Sequence, residues 1–336
     1  MLWHYNYSLC NYFNAKMNSK KAIALFVSIL ALMFGRAYAD KGAIMTDVKP
    51  LLERVAVNYE VMAAVSNHAL ISHDGSSGML RMWIDGCIRA GVKNMFVIAL
   101  DDQVAETVAN LGVNVWRTDP VKTKDKVMSN HGISALKFQL VEQILSFGYS
   151  VLLSDVDIVV LQNPFNFLYR DEDVESLSDG FDAPTAYGWD DVFDDPKMGW
   201  SRYAHGFHIF SLNSGLFYIR NNEKTINLMR RITDRLNKET AWDQAVFNQE
   251  IFSPSHGEYR SAHISLRIMN MDNFLNSKRL FQTIRHDQYY ANHMPVMVHV
   301  NYHPDKFERM QSVWKRYIEG DLHALDSYPL GSCTNC

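Results

Sequence analysis

Short apolar runs alternate with longer amphipathic stretches through the first half of the chain. Residues 60–65 predict a strand, 78–90 a helix, 94–100 a second strand and 102–111 a second helix. A short third strand is expected at 113–116. A helical stretch over 133–147 then feeds Ser150-Val151-Leu152-Leu153-Ser154, a continuous apolar run of the kind expected for a strand buried on both faces. This β-α-β-α-β order implies an α/β fold, Rossmann-like, with a mostly parallel sheet flanked by helices, in which ligands bind beyond the carboxyl ends of the strands. The chemistry is therefore expected just after Ser154.

The second half is less regular. A polar stretch spans 171–182, a strand-like run 216–219, helical segments 223–237 and 242–252, a late strand 296–299 and a terminal helix 306–319. No Gly/Ser/Pro-rich linker separates the halves, so the pattern reads as a single composite domain.

Ahead of these elements, residues 22–35 form an uncharged apolar run, preceded by Lys20-Lys21 and followed by Arg36 and Ala37-Tyr38-Ala39. The run is shorter than the roughly 18 residues of a full membrane span, and the small-x-small triplet after it has the form of a signal-peptide cleavage site. Basic residues before the run also suit a single-pass signal anchor with the rest of the chain in the lumen. The expected organisation is a signal peptide or anchor over 1–39, a short stem over 40–58 and a catalytic domain over 59–330. The expected location is the secretory pathway.

Composition narrows the picture. Lys and Arg number 33 against 37 Asp and Glu, a formal net charge of −4, and 47% of residues are hydrophobic. That is globular usage without the basic excess of a nucleic-acid binder, so nucleic acid is not an expected partner. An anionic ligand would have to be held by local groups. The 4 cysteines are too few for a disulfide scaffold. Cys333-Thr334-Asn335-Cys336 lacks the second pair of a zinc ribbon and reads as a loose terminal thiol pair or disulfide.

The strongest chemical signal follows the buried run. Asp155 and Asp157, one residue apart at a strand end, can meet one hard divalent cation, which in turn can bridge the phosphates of a nucleotide diphosphate. Lys137, on the helix leading into that strand, is placed near the helix's amino end, where orphan N–H groups favour phosphate. Asn213-Ser214-Gly215 sits before a strand, offering an amide and a close backbone approach to a hydroxylated ligand. Asp243 and Gln244 open an otherwise apolar helix. His299 and His303, with Lys306, bring two imidazoles and a cation to a strand end, and a neutral imidazole is a good third ligand for a metal such as Mn2+.

Together, residues 152–165 (LLSDVDIVVLQNPF), 178–188 (SDGFDAPTAYG), 212–218 (LNSGLFY), 242–247 (WDQAVF) and 299–306 (HVNYHPDK) resemble, in this order, the nucleotide-diphospho-sugar transferase family, which includes plant extensin arabinosyltransferases and rhamnogalacturonan II xylosyltransferases. The resemblance implies a glycosyltransferase A type fold. It implies a Golgi lumenal or type II membrane protein and dependence on Mn2+ or Mg2+. It also implies retaining transfer of a sugar, a pentose or galactose, from a nucleotide diphosphate donor, expected to be UDP-linked, to a glycan or glycoprotein acceptor. By the same resemblance Asp155, Asp157 and His299 hold the metal. Asn67, Lys137, Asp155, Asn213, Ser214 and Lys306 bind the nucleotide sugar, and the catalytic pair Asp243 and Gln244 sits beside the anomeric carbon. Internal return and double displacement both stay open for this chemistry. Two other readings compete: a non-catalytic lumenal sugar-binding protein on the same fold, and a Mg-dependent phosphohydrolase, whose further acidic pair would have to come from Asp321 and Asp326 after a charged helical segment.

Overall fold

The computed structural model describes residues 41–68, 78–119, 130–187 and 211–328, with side chains of the helix at 130–146 described from Leu136 onward. The leader, the Cys333–Cys336 pair, and Gly188 of the second motif lie outside the described residues.

Eight strands form the main sheet: β1 (Ile44–Met45), β2 (Glu60–Ser66), β3 (Met95–Ala99), β4 (Val115–Arg117), β5 (Ser150–Ser154), β7 (Val174–Ser178), β8 (Leu212–Ile219) and β9 (Leu266–Ile268), in the spatial order β1-β4-β3-β2-β5-β8-β7-β9. From β1 to β5 every pairing is parallel. β8 is antiparallel to both β5 and β7, and β7 is parallel to β9, so β8 alone runs against the rest. A second sheet of β10 (Phe274–Asn276), β11 (Met297–His299) and β6 (Ile158–Val160) stands beside it. The α/β, mostly parallel architecture expected from the first half is borne out.

The apolar runs alternate faces at a period of two. Val61, Ala63, Val151, Leu153, Phe217 and Ile219 enter one buried cluster. It is completed by α1 (Val48–Val55), α4 (Asn130–Ser146), α6 (Glu223–Lys238) and α7 (Asp243–Phe252). Met62, Ala64, Leu152, Leu216 and Tyr218 enter the opposite cluster, against α2 (Met79–Arg89) and α3 (Asp102–Asn110). Both faces are covered, which is why these strands carry no polar stripe.

Four expectations are corrected. Residues 44–55, assigned to the stem, belong to the domain: β1 pairs with β4, and α1 buries Leu51 and Leu52 completely. The polar stretch at 171–182 contains β7, all five of whose residues are buried. Most of its polar side-chain atoms are accommodated by hydrogen bonds, so the alternation that marks a strand is missing. Asn213, Ser214 and Gly215 lie within β8, not before it. Finally, α4 begins at Asn130, so Lys137 sits two turns inside the helix and away from its amino end. The helix expected at 306–319 appears as α8 (Lys306–Trp314), continues as one π-helical segment over Lys315–Glu319, and stops at Gly320 in the left-handed conformation.

Candidate active site

Asp155, Val156 and Asp157 carry the chain from β5 of the main sheet to β6 of the small one. His299, at the end of β11, is paired across from Ile158. Asp155 N–H donates to the carbonyl of Gly215 on β8 at 2.7 Å, and Val300 N–H donates to the carbonyl of Asp157 at 3.0 Å. Backbone pairing from two sheets therefore fixes the three side chains before any ligand is considered. One donor atom each from Asp155, Asp157 and His299 lies within 4.8 Å of the others.

Electrostatics in this cluster are unbalanced. His299 Nε2 lies 3.1 Å from Asp157 Oδ1, in ion-pair range but outside hydrogen-bond geometry, so Oδ1 is buried without a hydrogen-bond partner. His299 Nδ1 is likewise unpartnered. Lys306 Nζ lies 2.6 Å from Asp157 Oδ2. Burial raises the Asp155 carboxyl, and the Asp157 and Asp243 charges add to this against the opposing pull of Lys137. Burial acts the same way on Asp157, but His299 and Lys306 outweigh it and hold that carboxyl well below the usual range. Burial lowers the His299 imidazole, yet the two aspartates outweigh it and its affinity for a proton rises. Two carboxylate oxygens and an imidazole nitrogen, crowded and partly orphaned, are a donor set that fits a hard to borderline divalent cation.

A second cluster adjoins the first. Lys137 Nζ reaches Asp243 Oδ2 at 2.8 Å, and Ser214 Oγ donates to the same oxygen at 3.1 Å. Burial raises the Asp243 carboxyl, but Lys137 and these hydrogen bonds outweigh it, leaving it low. Burial lowers Lys137, but Asp155 and Asp243 outweigh it and hold it charged. The Lys137 ammonium is thus a buried countercharge joining both acidic groups, a role that its place in mid-helix allows.

The sequence reading missed the group that joins these clusters. Asp179, directly after β7, accepts from Asn213 Nδ2 at 2.8 Å and from Gln244 Nε2 at 2.7 Å. Asn301 Nδ2 donates to it at 3.3 Å. Asp179 thereby ties β8 and the start of α7 to the loop after His299. It stands at the carboxyl end of a buried strand, as Asp155 does, and that signal was hidden because 171–182 reads as a polar loop.

The structure brings together Lys137, Asp155, Asp157, Asn213, Ser214, Asp243, Gln244, His299 and Lys306. Asn67 is buried just after β2, on the same edge of the sheet, and among the described residues its side chain shares no hydrogen bond with them. His303 is buried against Phe281 in the small-sheet core, with both ring nitrogens unpartnered.

The chain is 49% identical over 285 residues to arabinosyltransferase RRA2 of Arabidopsis thaliana, a match covering 84% of this chain and 65% of that protein. It is 45% identical over 285 residues to arabinosyltransferase RRA1 of the same plant, covering 84% of this chain and 69% of the relative. The chain thus spans about two thirds of the length of these relatives. Among solved structures, the galactosyltransferase LgtC in complex with donor and acceptor sugar analogs superposes with a TM-score of 0.45 at 13% identity, over 77% of this chain and 96% of that one. The family model for nucleotide-diphospho-sugar transferases matches residues 90–312, which include every site residue above except Asn67, and the chain belongs to that family.

Proposed function

We propose that this chain is a metal-dependent retaining glycosyltransferase that moves a pentose, arabinose in the first instance, from a UDP-linked donor to a glycan or glycoprotein acceptor. The observation that carries the reading is the convergence of Asp155, Asp157 and His299 at the junction of the two sheets, with the Lys306 ammonium on Asp157. The names of the curated relatives support arabinose over galactose.

Asp155, Asp157 and His299 would hold Mn2+ or Mg2+, which when bound neutralises the charge developing on the leaving diphosphate. Lys306 adds a point charge on the side of Asp157 away from His299. Asn213 and Ser214 line the sugar pocket from β8. Asp243 is kept ionised by Lys137 and Ser214 at one of its oxygens. Gln244 is tied at both ends of its amide: Nε2 donates to Asp179, and Oε1 accepts from Ser214 N–H at 3.4 Å. A side chain so tethered orients a substrate hydroxyl or the anomeric centre without rotating freely. The fixed ion pair on Asp243 weakens it as a nucleophile, which favours internal return over double displacement.

The leader at 1–39 supports placement in the secretory pathway, in the Golgi lumen, as a signal-anchored or soluble protein. Among the described residues no helix is long and apolar enough to cross a membrane. The test of the catalytic reading is a thermal-shift screen of UDP- and GDP-sugars with Mn2+, followed by transfer assays with the donor that stabilises the protein. Stabilisation by a UDP-pentose that requires Mn2+ is the expected result. Sugar binding without turnover would favour the non-catalytic reading.

A further inference from the structure

We infer that Gly215 is a positioning residue of the cation site: its lack of a side chain is what lets Asp155 and His299 converge. This rests on the cation site proposed above. A Cβ built on Gly215 would collide with Asp155 Oδ2, and would lie 2.9 Å from Asp155 Cγ and 2.8 Å from His299 Cε1. Those separations are below any ordinary carbon contact.

The backbone of β8 is held at Gly215 by bonds on both sides of its peptide. Gly215 N–H donates to Asn213 Oδ1 at 2.9 Å, and its carbonyl accepts from Asp155 N–H at 2.7 Å. Asn213 is itself held by Asp179 at 2.8 Å. Leu216 pairs with Ser154 on β5, while the ladder to β7 shifts register between Ser176 and Ser178 opposite this stretch. With the backbone pinned, a methyl at 215 is relieved by turning the Asp155 carboxylate out of the cluster. Gly215 has none of the positive φ that would explain glycine by backbone conformation, so its role lies in the space it leaves.

The experiment measures Mn2+ binding by electron paramagnetic resonance and calorimetry on the full chain, using Mn2+ alone as probe. Gly215→Ala should weaken Mn2+ binding by roughly 10- to 100-fold, the range seen when the support of a ligand is lost. Its folded state should remain, judged by circular dichroism. Gly42→Ala is the control. Its Cβ would overlap the backbone of Val113, just before β4 and toward the edge of the main sheet remote from β8, so it should lower Tm and leave Mn2+ affinity alone.

If Gly215→Ala does not fold, Gly215→Ala/Asp155→Ala/His299→Ala decides the matter. Removing both colliding groups should restore folding to the level of Asp155→Ala/His299→Ala. A triple variant that stays unfolded when that double variant folds overturns the inference, as does a Gly215→Ala protein that binds Mn2+ as tightly as the wild type. A wild type that binds no Mn2+ overturns the cation-site reading itself, and this inference with it.

Discussion

The two ends of the central strands hold buried charge in opposite ways. At the amino end of β2, Glu60 is matched: Arg170 donates to both its oxygens, at 2.6 and 3.1 Å, and Tyr218 OH donates at 2.6 Å. Neighbouring Glu175 accepts two backbone N–H groups on one oxygen and has no partner on the other, and burial pushes its carboxyl up toward the neutral form. At the carboxyl end, Asp155, Asp157 and Asp243 crowd against Lys137, His299 and Lys306, leaving Asp157 Oδ1 and His299 Nδ1 without hydrogen-bond partners. A cluster whose carboxyls are matched by fixed donors, as Glu60 is, or driven toward the neutral form, as Glu175 is, is closed by the fold itself. One that keeps two like charges together and leaves donor atoms unpaired is built for something brought from outside.

Substitutions can break or sharpen that contrast. The largest expected effect is on activity: Asp155→Asn should lower metal-dependent transfer by roughly a thousandfold. Its metal-free Tm should hold or rise, since a like charge is removed beside Asp157, and a donor-saturated rate assay paired with a thermal melt checks both. Next, Lys137→Met strands the Asp243 carboxylate in a buried setting and should cost ~3 kcal/mol, read from the denaturation midpoint. Adding Asp243→Leu should recover part of that loss. At the other end, Tyr218→Phe should cost about 1 kcal/mol by leaving Glu60 one hydrogen bond short, with Mn2+ affinity unchanged. An equal loss of Mn2+ affinity would mean that the two ends are not independent.

A last effect, visible only as pH falls, concerns His303. Burial, then the adjacent Arg309 charge, lowers its pKa from 6.5 to about 4. The unfolded chain therefore takes up its proton first as pH falls. The stability that neutral His303 contributes is complete above 6.5, declines between 6.5 and about 4, and is gone below that. Thermal melts of His303→Gln should show a shallower decline across that window.

Legibility followed the same divide. Runs such as 94–100 and 150–154 face apolar neighbours on both sides, so composition alone located β3 and β5, and the rule for parallel sheets located Asp155 and Asp157. β7 carries Glu175, Ser176 and Ser178, buried with most of their polar atoms bonded to Tyr169, Arg170, Leu177 and Asn276 or in turn hydrogen bonds, one Glu175 oxygen excepted. A strand whose polarity is balanced by partners distant in sequence gives no periodic signal, and Asp179 was lost with it. Lys137 was identified for its charge, but its placement failed because Asn130, Gly132 and Ser134 offer several starts for one helix. β1 and α1 were read as a stem because two strand residues are too few to register as a run. His299 and Lys306 were legible only as members of an ordered motif. Their partner Asp157 lies more than 140 residues earlier in the chain, beyond any local pattern.

The central claim is that the unbalanced end is the cation and donor site of a nucleotide-sugar transferase. Its most direct test is release or transfer of labelled arabinose from UDP-arabinose by the full chain, with Mn2+ or with a chelator, in the wild type and in Asp157→Ala. The account predicts activity that depends on Mn2+ and vanishes in the variant while the fold persists. Activity indifferent to the chelator and to Asp157→Ala would contradict it.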